Sequence, residues 1–100
     1  MTCITLLNMI KSFKDKGLRR FSEKGDASRL SVQKTGRIAE ILRLLEVATR
    51  PADLNIPGYR FHELAPRYPG TFSVLVSGNY RITFSWEDQD AIDVDLLDYH

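Results

Sequence analysis

The stretch Asn79-Tyr80-Arg81-Ile82-Thr83-Phe84-Ser85-Trp86 alternates without a break. Tyr80, Ile82, Phe84 and Trp86 fall on one side of an extended chain and Arg81, Thr83 and Ser85 on the other, because successive strand side chains point to opposite faces. That pattern specifies a sheet with one apolar face against a core and one polar face left open. Ser77-Gly78-Asn79 reads as a hairpin turn leading back to a partner strand at Thr71 to Val76, where Phe72, Val74 and Val76 face one way. After the acidic turn Glu87-Asp88-Gln89-Asp90, Ala91 to His100 supplies a third strand. Its expected core side is Ile92, Val94 and Leu96, with Asp93, Asp95 and Leu97 pointing away.

Further upstream the pattern weakens and then changes period. Tyr59 to Leu64 alternates imperfectly, with Arg60, His62 and Leu64 on one side, and is followed by the turn-rich Ala65-Pro66-Arg67-Tyr68-Pro69-Gly70. From about Val32 to Thr49, Ile38, Ile41, Leu42, Leu45 and Ala48 recur at helical spacing, and Pro51 stops the helix. Asp15 can cap a short helix from Lys16 to Lys24, with Gly25 in the position that ends it. Met9-Ile10-Lys11-Ser12-Phe13 reads as a strand with Met9, Lys11 and Phe13 on one face. Together these elements predict an α+β fold, two amino-terminal helices packed on a mainly antiparallel sheet, with Arg81, Thr83, Ser85 and His62 on the open face.

Length and composition narrow the classes of function. One hundred residues make one domain, and a 43% hydrophobic and 27% charged composition is that of an ordinary globular protein. We read residues 9–100 as that domain and residues 1–8 as an extension upstream of Met9. The single cysteine, Cys3, cannot form an internal disulfide, which makes a cytoplasmic protein the default. The opening residues lack the basic and apolar regions of a signal peptide, and no apolar run approaches the roughly 20 residues of a membrane span. The net charge of +1 hides an asymmetry: residues 1–50 hold eleven Lys/Arg against five Asp/Glu, and residues 51–100 three against eight. The amino half is therefore the half able to meet phosphate, although solvated helix faces account for the same charges.

Few residues can carry chemistry. Arg81, fixed in mid-strand, presents a rigid fork suited to phosphate, or equally to a cross-strand ion pair with Asp93 or Asp95. His62 can act as acid or base at cellular pH, though a lone strand histidine is more often structural. The chain closes on Asp98-Tyr99-His100, three proton-handling side chains that strand alternation would send to opposite faces unless the backbone bends. Asp88, Asp90, Asp93 and Asp95 lack calcium-loop spacing, and there is no phosphate-cradling glycine loop, zinc pattern or nucleophile elbow. No metal ion or cofactor is expected.

Four separated motifs resemble the HigB toxins of the RelE/ParE superfamily. They are Met9-Ile10-Lys11-Ser12-Phe13 with Lys16-Gly17-Leu18 and Phe21, the run around His62, Asn79 to Phe84, and the Asp98-Tyr99-His100 ending. They occur in the family's order and extend from Met9 to His100. The resemblance implies a RelE-like fold and a bacterial type II toxin, a metal-independent endoribonuclease that cleaves messenger RNA in the ribosomal decoding site and inhibits translation. It also implies silencing by a HigA-like helix-turn-helix antitoxin, through which alone operator DNA would be met. The other branch of the superfamily acts on a protein target such as gyrase, and a degenerate module would only bind its antitoxin.

By the matching motifs, His62, Arg81, Asp98, Tyr99 and His100 inherit catalytic positions. Arg81 would stabilise charge, His62 or His100 would serve as base and acid, Tyr99 would orient substrate, and Asp98 would hold an imidazole or an RNA contact. Lys16, Arg19, Arg20, Lys24, Lys34 and Arg37 would contact ribosomal RNA phosphates. The sequence departs from the relatives at Ala65 and Ser77, where they carry basic residues, and Arg67 is the candidate for compensating charge. We expect an ordered terminus that bends to bring Tyr99 and His100 to Arg81.

Overall fold

The computed structural model describes residues 10–26, 28–30 and 35–98. In chain order they form helix α1 (Lys16–Lys24), helix α2 (Thr35–Val47), a 3-10 turn at Pro51–Leu54, and strands β1 (His62–Glu63), β2 (Thr71–Ser77), β3 (Tyr80–Glu87) and β4 (Asp90–Asp98). The strands make one four-stranded antiparallel sheet in the order β1-β2-β3-β4, so the fold is α+β. Expectations for residues 1–8, Met9, Val32, Lys34, Tyr99 and His100 lie outside the described residues. Among the described residues, no helix is long and apolar enough to cross a membrane.

Helix α1 has the bounds its caps predict. The Asp15 carboxylate accepts from the Leu18 backbone N–H at 2.8 Å, and Gly25 ends the helix at φ 71° with its N–H on the Phe21 carbonyl. Leu18 is fully buried, as are Ile38, Ile41 and Leu45 from α2. They form one core with Val74, Val76, Ile82, Phe84, Ala91 and Val94, so both helices cover the apolar face that the alternation in β3 predicts. Along that face Phe61 stacks on Phe72 and Phe72 on Phe84, with centroids 5.6 and 5.9 Å apart, which anchors the short β1 to the sheet.

Three irregularities correct the sequence reading. The expected strand at Tyr59 to Leu64 shrinks to His62–Glu63, because Arg60 adopts φ 51° and kinks the chain; the Tyr59 carbonyl still accepts from the Leu75 N–H. In β4, Asp93 adopts φ 54° and forms a bulge, so Ser85 pairs with Ile92 but Thr83 with Asp95. Ile92 therefore lies on the open face with Ser85 rather than on the core side, while Ala91 and Val94 are fully buried. At the amino end, Ile10 and Phe13 make isolated parallel bridges to Ala91 and Val94 instead of a continuous strand. Ser12 is diverted to the bulge, where its hydroxyl accepts from the Asp93 N–H at 2.8 Å. That diversion turns Ile10 and Phe13 inward, in place of the predicted grouping of Lys11 with Phe13.

Candidate active site on the open sheet face

The face away from the helices is built by register. Ser73 pairs with His62 on one side and Thr83 on the other, and Thr83 pairs in turn with Asp95, which sets His62, Ser73, Thr83 and Asp95 in one row. Two positions along, Leu75, Arg81 and Leu97 form a parallel row. Strand spacing and rise place the Cα atoms of His62 and Arg81 about 12 Å apart on a common face. The gap suits a dinucleotide step lying between them better than direct contact.

Arg81 is half-buried, with Leu75 and Leu97 as its cross-strand partners, Asp95 opposite Thr83 and Asp93 in the bulge. His62 is exposed, and its Nδ1 lies 3.2 Å from the Arg60 carbonyl oxygen. A carbonyl only accepts, so in the tautomer with its hydrogen on Nδ1 that contact is a hydrogen bond and Nε2 is the ring's acceptor. The kink at Arg60 brings its carbonyl to the ring.

The loop after β1 makes a hollow of about 360 Å³ lined by His62, Glu63, Leu64, Ala65, Arg67 and Tyr68. Arg67 lies over the Tyr68 ring at 6.0 Å and brings a cation to the hollow that His62 and Ala65 also line. Glu63 closes the loop by accepting from the Gly70 N–H at 2.9 Å.

The other residues singled out from the sequence divide by location. Asp98 pairs with Tyr80, which puts it on the helix side of the sheet margin, on the opposite face from Arg81. Lys16, Arg19, Arg20 and Lys24 are exposed on α1 and share a shallow hollow with Glu23. Arg20 pairs with Asp26 at 2.8 Å. Hydrogen bonds from Ser28, with Arg20 beside it, hold the Asp26 carboxyl well below the usual carboxylate range. Arg37 turns inward: it donates to the Leu75 carbonyl at 3.2 Å and lies 4.6 Å from the Tyr59 ring centre. Burial, and the 2.6 Å hydrogen bond that Tyr59 donates to Glu40, push the Tyr59 phenol up to about 12.

A second hollow has no forerunner in the sequence pattern. Lys14, Leu64, Tyr68, Thr71, Thr83, Asp95 and Leu97 line about 340 Å³ on the same open face. It shares Leu64 and Tyr68 with the hollow at His62. Period two places Thr83 and Asp95 away from the core. The arrival of Lys14 depends on the long-range pairing of the amino segment with β4, which no local pattern reveals.

Comparison with known proteins bears on what such a face does. A model of the family described as RelE-like toxin of type II toxin-antitoxin system HigB matches residues 11–100. The chain is 40% identical over 92 residues to a Proteus vulgaris protein named Endoribonuclease HigB, covering 92% of this chain and all of that protein. It is 35% identical over 96 residues to Toxin HigB-1 of Vibrio cholerae serotype O1, covering 92% of this chain and 98% of that one. Matches of this extent take in both helices, the whole sheet and the open face, and the chain belongs to the HigB family of RelE-like toxins of type II toxin-antitoxin systems.

Proposed function

We propose that this protein is the toxin of a type II toxin-antitoxin pair and an endoribonuclease that cuts messenger RNA on the ribosome. The observation that carries the reading is the common face of Arg81 and His62. The relative named an endoribonuclease supports the reaction class, whereas neither relative's name points to gyrase or another protein target. The layout, helices on one side of the sheet and a polar open side, suits a RelE-like fold acting on an extended strand.

In the proposed reaction His62 Nε2 takes the proton of a ribose 2′-OH, and the 2′ oxygen forms a bond to the adjacent phosphorus. The bond to the 5′ oxygen breaks, and that oxygen leaves with a proton. The products are a 2′,3′-cyclic phosphate and a 5′-hydroxyl. Arg81 neutralises charge that grows on the phosphoryl oxygens, with Arg67 as a second cation. In this reading His100 supplies the leaving-group proton, Tyr99 orients or stacks on the substrate, and Asp98 holds an imidazole or an RNA contact. The exposed cations of α1 contact ribosomal RNA. A HigA-like helix-turn-helix antitoxin silences the toxin, and the cytoplasm is where its message is translated.

The test is a ribosome-bound message carrying a single 2′-deoxy nucleotide at the cut position. Primer extension should find new 5′ ends with the all-ribose message and none at that position with the deoxy message. Cutting that survives the 2′-deoxy substitution would sink the mechanism, and no new ends from either message would sink the nuclease reading.

A further inference from the structure

We propose that the hollow between Lys14, Tyr68 and Asp95 holds the base of a nucleotide flanking the cut, and selects bases bearing an exocyclic amino group over uracil. The inference rests on the nuclease reading and deepens it by assigning a specificity pocket.

Size, position and lining agree on this occupant. At about 340 Å³ the hollow lies at the low end of small-ligand sites, room for one nucleobase with part of its sugar. It adjoins the hollow at His62 through Leu64 and Tyr68. A strand with its phosphate near Arg81 and His62 therefore reaches it without leaving the sheet face. Tyr68 is 57% exposed, and with Arg67 over its ring it stands as an aromatic wall between the two hollows. Exposed aromatic rings beside cations are the stacking platforms on which single-stranded bases are held. Leu64 and Leu97 supply the remaining apolar surface.

The polar groups set the preference. Asp95 is half-buried, and its Oδ1 accepts from the Leu96 N–H at 2.9 Å, which orients the carboxylate and leaves Oδ2 to accept from a ligand. An ionised carboxylate cannot donate. Adenine, cytosine and guanine each offer it an amino group, whereas the uracil edge flanks its single N–H with two carbonyl oxygens that the carboxylate repels. Thr83, 6% exposed, adds a hydroxyl that serves either way and does not discriminate. Lys14, on the rim, meets the phosphate that follows the base and contributes affinity without base preference.

The experiment measures single-turnover cleavage of ribosome-bound messages that differ only in the nucleotide on each side of the cut. Wild type should cut the best amino-bearing base at least about tenfold faster than uracil at one of the two positions. Asp95→Asn, whose amide both donates and accepts, should reduce that ratio to within about threefold. Lys14→Met should raise the half-saturating ribosome concentration for every message and leave the ratio alone. Tyr68→Ala, at an exposed position that tolerates truncation, should weaken all bases and purines most. A wild-type enzyme indifferent to uracil at both positions, or an Asp95→Asn ratio equal to wild type, overturns the pocket. Because the readout is a ratio among cleaved messages, that result leaves the nuclease reading standing, whereas absence of cleavage from every message removes both.

Discussion

Gly17 lies on α1 where a methyl group would meet the Arg29 carbonyl oxygen at 2.8 Å. Gly17→Ala should therefore destabilise the fold by about 1 kcal/mol or more despite the higher helix propensity of alanine, since backbone must shift to relieve the contact. Urea unfolding checks it, and a stabilised variant would contradict the close approach. Glu46 on α2 tests a second single-residue effect. Burial beside Phe21 and Leu42 raises its carboxyl from the ordinary value, against the opposing influences of Ser22 and Arg43. A carboxyl with a raised folded pKa binds more protons folded than unfolded, so stability falls as pH rises from the unfolded pKa through the folded one. Glu46→Gln should remove that fall and leave the variant more stable at neutral pH by a fraction of a kcal/mol, since solvent still reaches the group. Parallel melting curves at pH 4 and pH 7 measure it.

At the scale of elements, the bulge in β4 decides what the open face contains. Asp93 at φ 54° reverses the alternation, and Ser12 holds it with its hydroxyl on the Asp93 N–H while the Ser12 carbonyl accepts from Val94. Ser12→Ala should cost about 1 kcal/mol and speed hydrogen exchange at Asp93, because the amino segment is tied to the sheet there. Unchanged exchange would mean the bulge holds itself. Helix α1, its caps, the apolar stripe of α2 and the facing of β3 were legible, since each rests on residues within a few positions of one another. The shortened β1 was not, because its cause is a non-glycine residue at positive φ, Arg60, with no turn signature of its own. Nor was the facing of Ile92 legible, because a bulge leaves no mark in a strand that otherwise alternates. The same gap hid Lys14 from the candidate site, whereas Arg81 and His62 were visible from period two alone.

For the whole molecule, the cations of α1 and the candidate site lie on different sides. The α1 cations Lys16, Arg19 and Lys24 are exposed on the helix side, and the open face of the sheet carries Arg81 and His62. Arg37, grouped with these cations by sequence, is engaged with Leu75 and Tyr59 inside the fold. Charge reversal of Lys16, Arg19 and Lys24 together should weaken ribosome co-sedimentation. It should also reduce the salt dependence by about one unit of slope for each phosphate that the helix no longer neutralises. Equal co-sedimentation across salt would place the ribosome-binding surface elsewhere.

The central claim is that Arg81 stabilises the charge that develops as the message is cut. Its most direct test is the single-turnover cleavage rate of a ribosome-bound message with Arg81→Ala, using the thermal midpoint and co-sedimentation to show that the variant is folded and bound. The expected result is a loss of about 100- to 1,000-fold in rate with binding retained. A rate within about threefold of wild type would contradict the account.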